Sequence, residues 1–181
     1  MGTPPPAYGC PGALWCAEPV TDVTIAAAGL ADAGEILTVQ RAAYLVEAQR
    51  YRDVFLPPLT ETLDEVRAAL AGPDVVLAAR RGTRLVGSVR ARLDGETAHV
   101  GRLSVAPDQQ GQGVGGRLLD AVEQACAGRV TRFALFTGAD SAANLSLYAG
   151  RGYRVVAHRP DENGNRLAVL EKTVSPAHSG A

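Results

Sequence analysis

The chain has 181 residues, the length of one domain, of which 46% are hydrophobic and 20% charged. Because 18 basic side chains nearly balance 19 acidic ones, the composition excludes a basic nucleic-acid binder and a disordered, highly charged chain. No apolar run approaches the roughly 20 residues that cross a bilayer, and no signal-peptide pattern begins the chain. We therefore expect a cytoplasmic protein without nucleic-acid or membrane partners.

The two ends differ in composition from the body. Residues 1–20 are rich in Pro and Gly and predict a flexible arm, residues 21–174 form the domain, and residues 175–181 form a tail. Trp15 either anchors the arm on the domain or a partner subunit, or is a partly exposed aromatic. The three cysteines have no CxxC spacing, so neither a disulfide framework nor a metal site is predicted. Cys126 lies in a helical pattern and is predicted to be a small buried hydrophobic residue.

The first third predicts a strand and two helices. Residues 20–28 favour a strand, and residues 30–51 keep helical spacing of apolar side chains. Pro57 and Pro58 interrupt the helical pattern. A second helix is predicted over residues 61–70 with Thr60 as its N-cap.

Three strands, a long helix and a further strand follow. Residues 75–80, 85–93 and 98–105 predict an antiparallel meander, with a turn at Asp94–Gly95 between the last two strands. The amphipathic pattern over residues 113–127 predicts a helix.

The C-terminal part adds strand 132–137, helix 141–151 and a hairpin of strands 154–158 and 167–173. A meander followed by a strand–helix–strand crossover requires a mixed sheet. The fold class is therefore α/β, with six to seven strands and helices on both faces.

A glycine-rich segment between the third meander strand and the long helix carries the chemistry. It runs from Gln110 to Gly115 as QGQGVG. Glycines let the loop turn tightly, and the helix N-terminus adds unpaired N–H donors, which together suit a diphosphate. The alternative is glycines used only for tight packing. No Gly-Lys-Ser/Thr follows, and the segment lies after a meander, which disfavours a P-loop and a Rossmann fingerprint.

A second motif lies on the next helix, where Asn144 and Tyr148 precede Gly152 and Tyr153. The two motifs, in this order and in these elements, resemble the signatures of the GCN5-related N-acetyltransferase (GNAT) superfamily over roughly residues 21–173. The resemblance implies two central parallel strands that splay apart and hold acetyl-CoA as cosubstrate, with no metal.

By this resemblance, the strand before the loop offers backbone donors to the thioester and the loop binds the diphosphate. The family's loop is richer in arginine, so Arg117 or Arg151 is expected to supply charge to the phosphates. The cofactor-binding residues implied are Leu103, Ser104, Val105, Gln110, Gly111, Gln112, Gly113, Val114, Gly115, Gly116, Asn144, Tyr148 and Arg151.

Tyr148 is the implied catalytic residue for departure of coenzyme A. It shares a helix face with Asn144, and a phenol can hydrogen-bond or protonate a departing thiolate. The alternative is a core tyrosine on a buried helix face.

Three alternatives remain for the base that deprotonates an amine. His99 lies on the central strand and has a suitable ordinary pKa, although strand alternation allows it to be buried packing. Glu61 lies on the loop that borders the acceptor side in this family, although first-turn helix stabilisation is its alternative role. Ordered water is the third. The acceptor region spans residues 47–65, where Glu47 and Tyr51 are among the polar side chains.

The predicted function is acetyl transfer to a primary amine by direct attack in a ternary complex. The acceptor is a small molecule or a peptide, and a homodimer is expected only by analogy. The alternatives are a non-catalytic acyl-CoA sensor and a small nucleotide-binding module.

Overall fold

A computed structural model describes residues 22–174, so the predicted arm with Trp15 and the predicted tail lie outside the described residues. The strands are β1 (Val23–Ala27), β2 (Val75–Arg81), β3 (Arg84–Asp94), β4 (Thr97–Val105), β5 (Arg132–Gly138), β6 (Arg154–Pro160) and β7 (Arg166–Thr173). The helices are α1 (Ala33–Tyr51), α2 (Pro57–Thr60), α3 (Leu63–Ala71), α4 (Val114–Cys126) and α5 (Ala142–Ala149), with single 3-10 turns at Leu30–Asp32 and Pro107–Gln109.

The start of the second predicted helix is corrected by the structure. Pro57 begins the short helix α2, because its fixed φ and missing N–H suit the first position of a helix. Thr62, not Thr60, is the N-cap of α3. Its hydroxyl accepts from the amide of Glu65 at 3.2 Å, and the Glu65 carboxylate accepts from the amide of Thr62 at 2.7 Å.

One mixed sheet in the order β1-β2-β3-β4-β5-β7-β6 forms the centre of the molecule, which confirms the predicted fold class. Its two faces are buried by different helices. Leu77 packs in a cluster with Leu118 of α4, whereas the neighbouring Val76 packs with Ile36 of α1 and Val66 of α3. Successive strand residues point to opposite faces, so helices cover both sides.

The central strands β4 and β5 are parallel but pair only at one end. Thr97–His99 pairs with Arg132–Ala134, and beyond these residues the two strands have no shared register. The other edges remain paired, since β4 follows β3 to Val105 and β5 follows β7 to Gly138. The predicted splay is thus confirmed, and it opens a wedge in the sheet.

A β-bulge in β4 accompanies the splay. Gly101 lies opposite Arg90 and Ser104 opposite Ser88, so two residues of β4 face one residue of β3. Arg102 in this bulge adopts a left-handed conformation with φ of 53°. The bulge turns the end of β4 away from the line of β5.

None of the helices within residues 22–174 is both long and apolar enough to cross a membrane.

Candidate active site

A cavity of about 560 Å³ occupies the wedge between β4 and β5. One end is lined by the glycine-rich loop, the start of α4 and one face of α5. The other end is lined by α1 and by the turn between β6 and β7. A molecule in this cavity would therefore pass through the sheet, with the unpaired edges of β4 and β5 on either side.

The loop presents a run of free backbone donors at the first end of the cavity. Within residues 22–174, the amides of Gln110–Gly116 donate no hydrogen bond of normal geometry to protein. Gly111 and Gly113 have φ of 74° and 79°, a conformation that side chains disfavour, and Gly113 is the N-cap of α4. Unpaired amides at the start of a 13-residue helix suit an anionic group.

Side chains brace this loop from outside. Arg84 forms a two-pronged ion pair with Asp108 at 2.6 and 2.8 Å, and this hydrogen-bonded pair lowers the pKa of Asp108. The amide group of Gln110 donates to the carbonyl of Val105 at 3.1 Å. The side chain of Gln112 accepts from Arg81 at 3.0 Å, and Gln112 does not line the cavity. This side chain therefore stabilises the loop and is not placed to contact a molecule in the cavity.

The structure corrects the expectation that arginines line the diphosphate end. Arg151 donates to Asp120 at 2.8 Å and to the carbonyl of Gly116 at 3.1 Å, and it does not line the cavity. A Cβ on Gly116 would lie 1.9 Å from the Arg151 guanidinium, so this arginine covers the outside of α4. Arg117 pairs with Asp22 and also faces away. No charged side chain of residues 22–174 lines this end.

Tyr148 and Asn144 lie on the face of α5 that lines the cavity. Tyr148 is only 8% exposed, and its ring meets that of Tyr153 edge-on at 5.9 Å between centroids. Burial, and secondarily the nearby Tyr44 and Glu47, raise the pKa of Tyr148. Asn144 donates to the Thr137 hydroxyl at 3.1 Å, which links α5 to β5. The two residues predicted from the second motif therefore share the cavity.

His99 is not brought to the cavity. It lies in the short stretch where β4 still pairs with β5, and its side chain is exposed on the face opposite Ala98 and Val100. The alternative of buried packing for His99 is wrong. The extra residue in the bulge at Arg102 interrupts the alternation of side chains along β4, so His99 need not point to the same face as Leu103. A role as base finds no support in this geometry.

Glu61 lies in a separate cavity of about 340 Å³, together with Arg90 and Arg102. Its buried carboxylate accepts from Gln40 at 2.7 Å, from Arg90 at 3.0 Å and from Arg102 at 3.1 Å. Burial alone would raise the pKa of Glu61, but the Gln40 hydrogen bond and the two arginines outweigh it, so the pKa is lowered. An ion-paired carboxylate of this kind fixes the bulge of β4 rather than accepting a proton from a substrate.

The acceptor end of the cavity is built mainly by α1. Tyr44, Glu47 and Tyr51 lie three and four residues apart and so share one face of the helix. Glu47 and Tyr51 belong to the predicted acceptor region, whereas Tyr44 was missed, although its spacing from Glu47 was visible. Ser141, the N-cap residue of α5, makes no side-chain capping bond and donates its hydroxyl to Glu47 at 2.9 Å. Tyr51 accepts from the amide of Asp140 at 3.1 Å.

The turn between β6 and β7 closes the acceptor end. Asp53, buried at the end of α1, accepts from the side chains of Asn163 at 2.7 Å and Asn165 at 3.3 Å. Asp161 lines the cavity and accepts from the backbone and side chain of Asn165. Burial would raise the pKa of Asp161, but these donors lower it overall. These residues tie the turn to α1, a contact between distant parts of the chain that the sequence does not reveal.

Comparisons with known proteins agree with this geometry. The sequence model of the family described as the acetyltransferase (GNAT) domain matches residues 42–174. No curated protein matches the sequence significantly.

Solved structures share the fold at low identity. The ribosomal-protein-S18-alanine N-acetyltransferase of Escherichia coli has a TM-score of 0.72 at 17% identity, covering 88% of this chain and 99% of that chain. YncA of Salmonella typhimurium, solved with its cofactor acetyl-CoA, has a TM-score of 0.71 at 19% identity, covering 89% and 99%. The PaiA N-acetyltransferase of Thermoplasma acidophilum, in complex with coenzyme A, has a TM-score of 0.69 at 15% identity, covering 85% and 100%.

Proposed function

Since the chain belongs to the GNAT acetyltransferase family, we propose that it is an acetyl-CoA-dependent N-acetyltransferase whose acceptor is a primary amine. One observation carries the proposal. A single cavity runs through the wedge between β4 and β5, from a loop of unpaired amides to a polar and aromatic acceptor end. An acyl donor and an amine could thus meet at the sheet from opposite sides.

The described residues fit coenzyme A at the loop end. The amides of Gln110–Gly116 donate to no group of residues 22–174 and lie at the N-terminus of α4, which suits an anion, and Gly111 and Gly113 carry no side chains that could block its approach. When bound, acetyl-CoA supplies the activated acetyl group. Affinity for its diphosphate depends on backbone donors, since no arginine among residues 22–174 lines this end.

Two features of the chain can stabilise charge during transfer. The edge of β4 beyond His99 is free of pairing with β5, so its backbone donors near Leu103 and Val105 face the wedge. The raised pKa of Tyr148 keeps its phenol neutral at physiological pH, so it can donate a hydrogen bond to a thiolate.

Direct attack in a ternary complex accounts best for the arrangement. Cys126 is the only cysteine within residues 22–174, and as the last residue of α4 it is fully buried in the core. It is therefore out of reach as a covalent carrier of the acyl group. The acceptor, which we expect to be a small-molecule or peptide amine, reaches the wedge from the α1 side.

A thiol-release assay tests the proposal directly. The full chain is incubated with acetyl-CoA and a panel of small-molecule, lysine-peptide and N-terminal-peptide amines, and free coenzyme A is measured with a thiol reagent. Amine-dependent release above the hydrolysis rate supports the proposal. Saturable coenzyme A binding with no release for any amine would favour a non-catalytic sensor.

A further inference from the structure

Charge is distributed unevenly along the cavity. Among residues 22–174, only three of the residues that line the cavity are charged at neutral pH, namely Glu47, Arg50 and Asp161, and they leave one net negative charge. All three lie on α1 or the β6–β7 turn. The acceptor end is therefore anionic, while the loop end offers only neutral donors.

The two carboxylates differ in how many hydrogen bonds they already accept from the protein. Asp161 accepts from the backbone of Asn163 and from the backbone and side chain of Asn165, which stabilise the turn. Glu47 accepts through Oε1 only, from Ser141 at 2.9 Å and from Arg50 at 3.2 Å. Its Oε2 takes no hydrogen bond from residues 22–174.

Arg50 does not neutralise Glu47 effectively. The pair is a helical i,i+3 contact in which the Arg50 side chain is 36% exposed and the Glu47 side chain 18% exposed. Pairs of this kind are weak because water and salt screen them. Glu47 thus keeps a free carboxylate oxygen in a partly buried place, and the hydrogen bond from Ser141 fixes the orientation of the carboxylate.

Aromatic rings flank this carboxylate. Tyr44 lies one turn before Glu47 and Tyr51 one turn after it on the same face of α1, and all three line the cavity. Phe136 of β5 lines the same cavity and is 55% exposed, and the Arg159 guanidinium lies over its ring at 5.2 Å from the centroid, so this ring already interacts with one cation. Ring faces and a carboxylate together attract an ammonium group that carries an apolar body, because both interact favourably with a cation.

We propose that Glu47 binds the ammonium group of the acceptor through Oε2, and that the acceptors of this protein are primary ammonium ions with an apolar or aromatic body. This inference rests on the proposed function, since it identifies the class of acceptor at the same cavity. Glu47 is the specificity-determining residue, and anionic or uncharged molecules of equal shape are discriminated against.

Binding without turnover tests the inference. Phenethylamine, 2-phenylethanol and 3-phenylpropanoate, which share an aromatic body but differ in charge, are titrated calorimetrically into the full chain saturated with coenzyme A. We expect the amine to bind about tenfold or more tightly than either of the other two. In Glu47→Gln, which keeps the shape of the side chain, that preference disappears while the affinity for coenzyme A is unchanged.

Glu35→Gln is the matched control, because Glu35 lies on the same helix but is exposed and pairs with Arg80 far from the cavity. It should leave amine binding unchanged. Equal affinities for the amine and the alcohol, no saturable binding of the amine, or an unaltered preference in Glu47→Gln overturns the inference. Coenzyme A is titrated into the wild-type protein before the three ligands are added. Failure to bind coenzyme A at that step would instead contradict the proposed function.

Discussion

Tyr148 illustrates how its surroundings decide what a phenol can do. A tyrosine is already neutral at physiological pH, and burial raises the pKa of Tyr148 further, so the hydroxyl acts as a hydrogen-bond donor and not as an anion even in alkaline buffer. Tyr148→Phe retains the ring that packs edge-on against Tyr153 and removes only this donor. We expect kcat for acetyl transfer to fall about 100-fold, with coenzyme A affinity changed less than about twofold.

Steady-state kinetics and calorimetry on the same preparation check this result. Tyr153→Phe is a suitable comparison, because Tyr153 is buried beside Tyr148 but does not line the cavity. It should leave kcat near the wild-type value. A Tyr148→Phe protein with full kcat would remove Tyr148 from the mechanism.

Glu61 contributes to stability through Arg90 and Arg102. Removing its charge in Glu61→Gln leaves two partly buried guanidinium groups poorly compensated, which we expect to cost about 3 kcal/mol of unfolding free energy at pH 7. The pKa of Glu61 is lowered in the folded protein. Its stabilisation is therefore present above the unfolded pKa of about 4.3 and is lost as pH falls through the folded value.

Urea denaturation of wild type and Glu61→Gln at pH 7 and at about pH 3.5 measures this dependence. The difference between the two proteins should shrink at the lower pH, because below about pH 4.3 the unfolded chain takes up a proton on Glu61 more readily than the folded protein does. A difference that stays constant or grows would show that the ion pairs do not provide the stabilisation.

At the level of single residues, the sequence predicted some site residues and missed others for physical reasons. Tyr148 and Asn144 were found because their helical spacing and motif are local. His99 and Glu61 were proposed as bases from their place along the chain. The bulge at Arg102 determines which face of β4 His99 occupies, and the ion pairs of Glu61 hold its carboxylate away from the cavity. Both features depend on tertiary contacts. The bond from Ser141 to Glu47 joins residues 94 apart and has no local signal.

The loop before α4 is the element on which cofactor binding depends. Gly113 has φ of 79° and free space where a Cβ would lie, so Gly113→Ala costs conformational energy without a clash. We expect about 1 kcal/mol of lost stability and at least about a tenfold loss of coenzyme A affinity, because the amides of the loop shift.

Gly128 provides a matched control just beyond the C-terminal end of the same helix. Its φ is 76° and the space around it is equally open, so Gly128→Ala should cost similar stability. Coenzyme A affinity in this variant should remain at the wild-type value, as measured by calorimetry. Equal losses of affinity in the two variants would show that the effect of Gly113 is one of general stability.

A second element-scale prediction concerns Gly138 at the end of β5. A Cβ there would lie 2.1 Å from the Tyr51 hydroxyl, so Gly138→Ala must displace Tyr51 and break its hydrogen bond from Asp140. We expect KM for the amine acceptor to rise several-fold while KM for acetyl-CoA stays constant. Bisubstrate kinetics separate the two, and a change confined to acetyl-CoA would contradict our placement of the acceptor end.

Element order followed from sequence, but element boundaries depended on capping chemistry. The meander, the crossover and the closing hairpin were all predicted in the observed order. The start of α3 was placed two residues early because Thr60 and Thr62 both qualify as caps, and only Thr62 has Glu65 three residues later. Pro57 begins a helix here although prolines usually interrupt one.

At the scale of the whole molecule, the wedge depends on where the sheet stops pairing. Only three residue pairs join β4 to β5, whereas seven join β5 to β7. The sequence alone could not show this, because strand patterns predict which segments are strands but not how far two of them pair. The splay was inferred from family resemblance, and the bulge at Arg102 is its visible physical counterpart.

The central claim is that this wedge, with the amides of Gln110–Gly116 at one end, binds coenzyme A. The most direct measurement is a titration of the ¹⁵N-labelled full chain with coenzyme A, followed through its backbone amide NMR signals. Saturable shifts should be largest for Gln110–Gly116 and for the unpaired ends of β4 and β5. Shifts centred elsewhere, or none at millimolar coenzyme A, would contradict the claim.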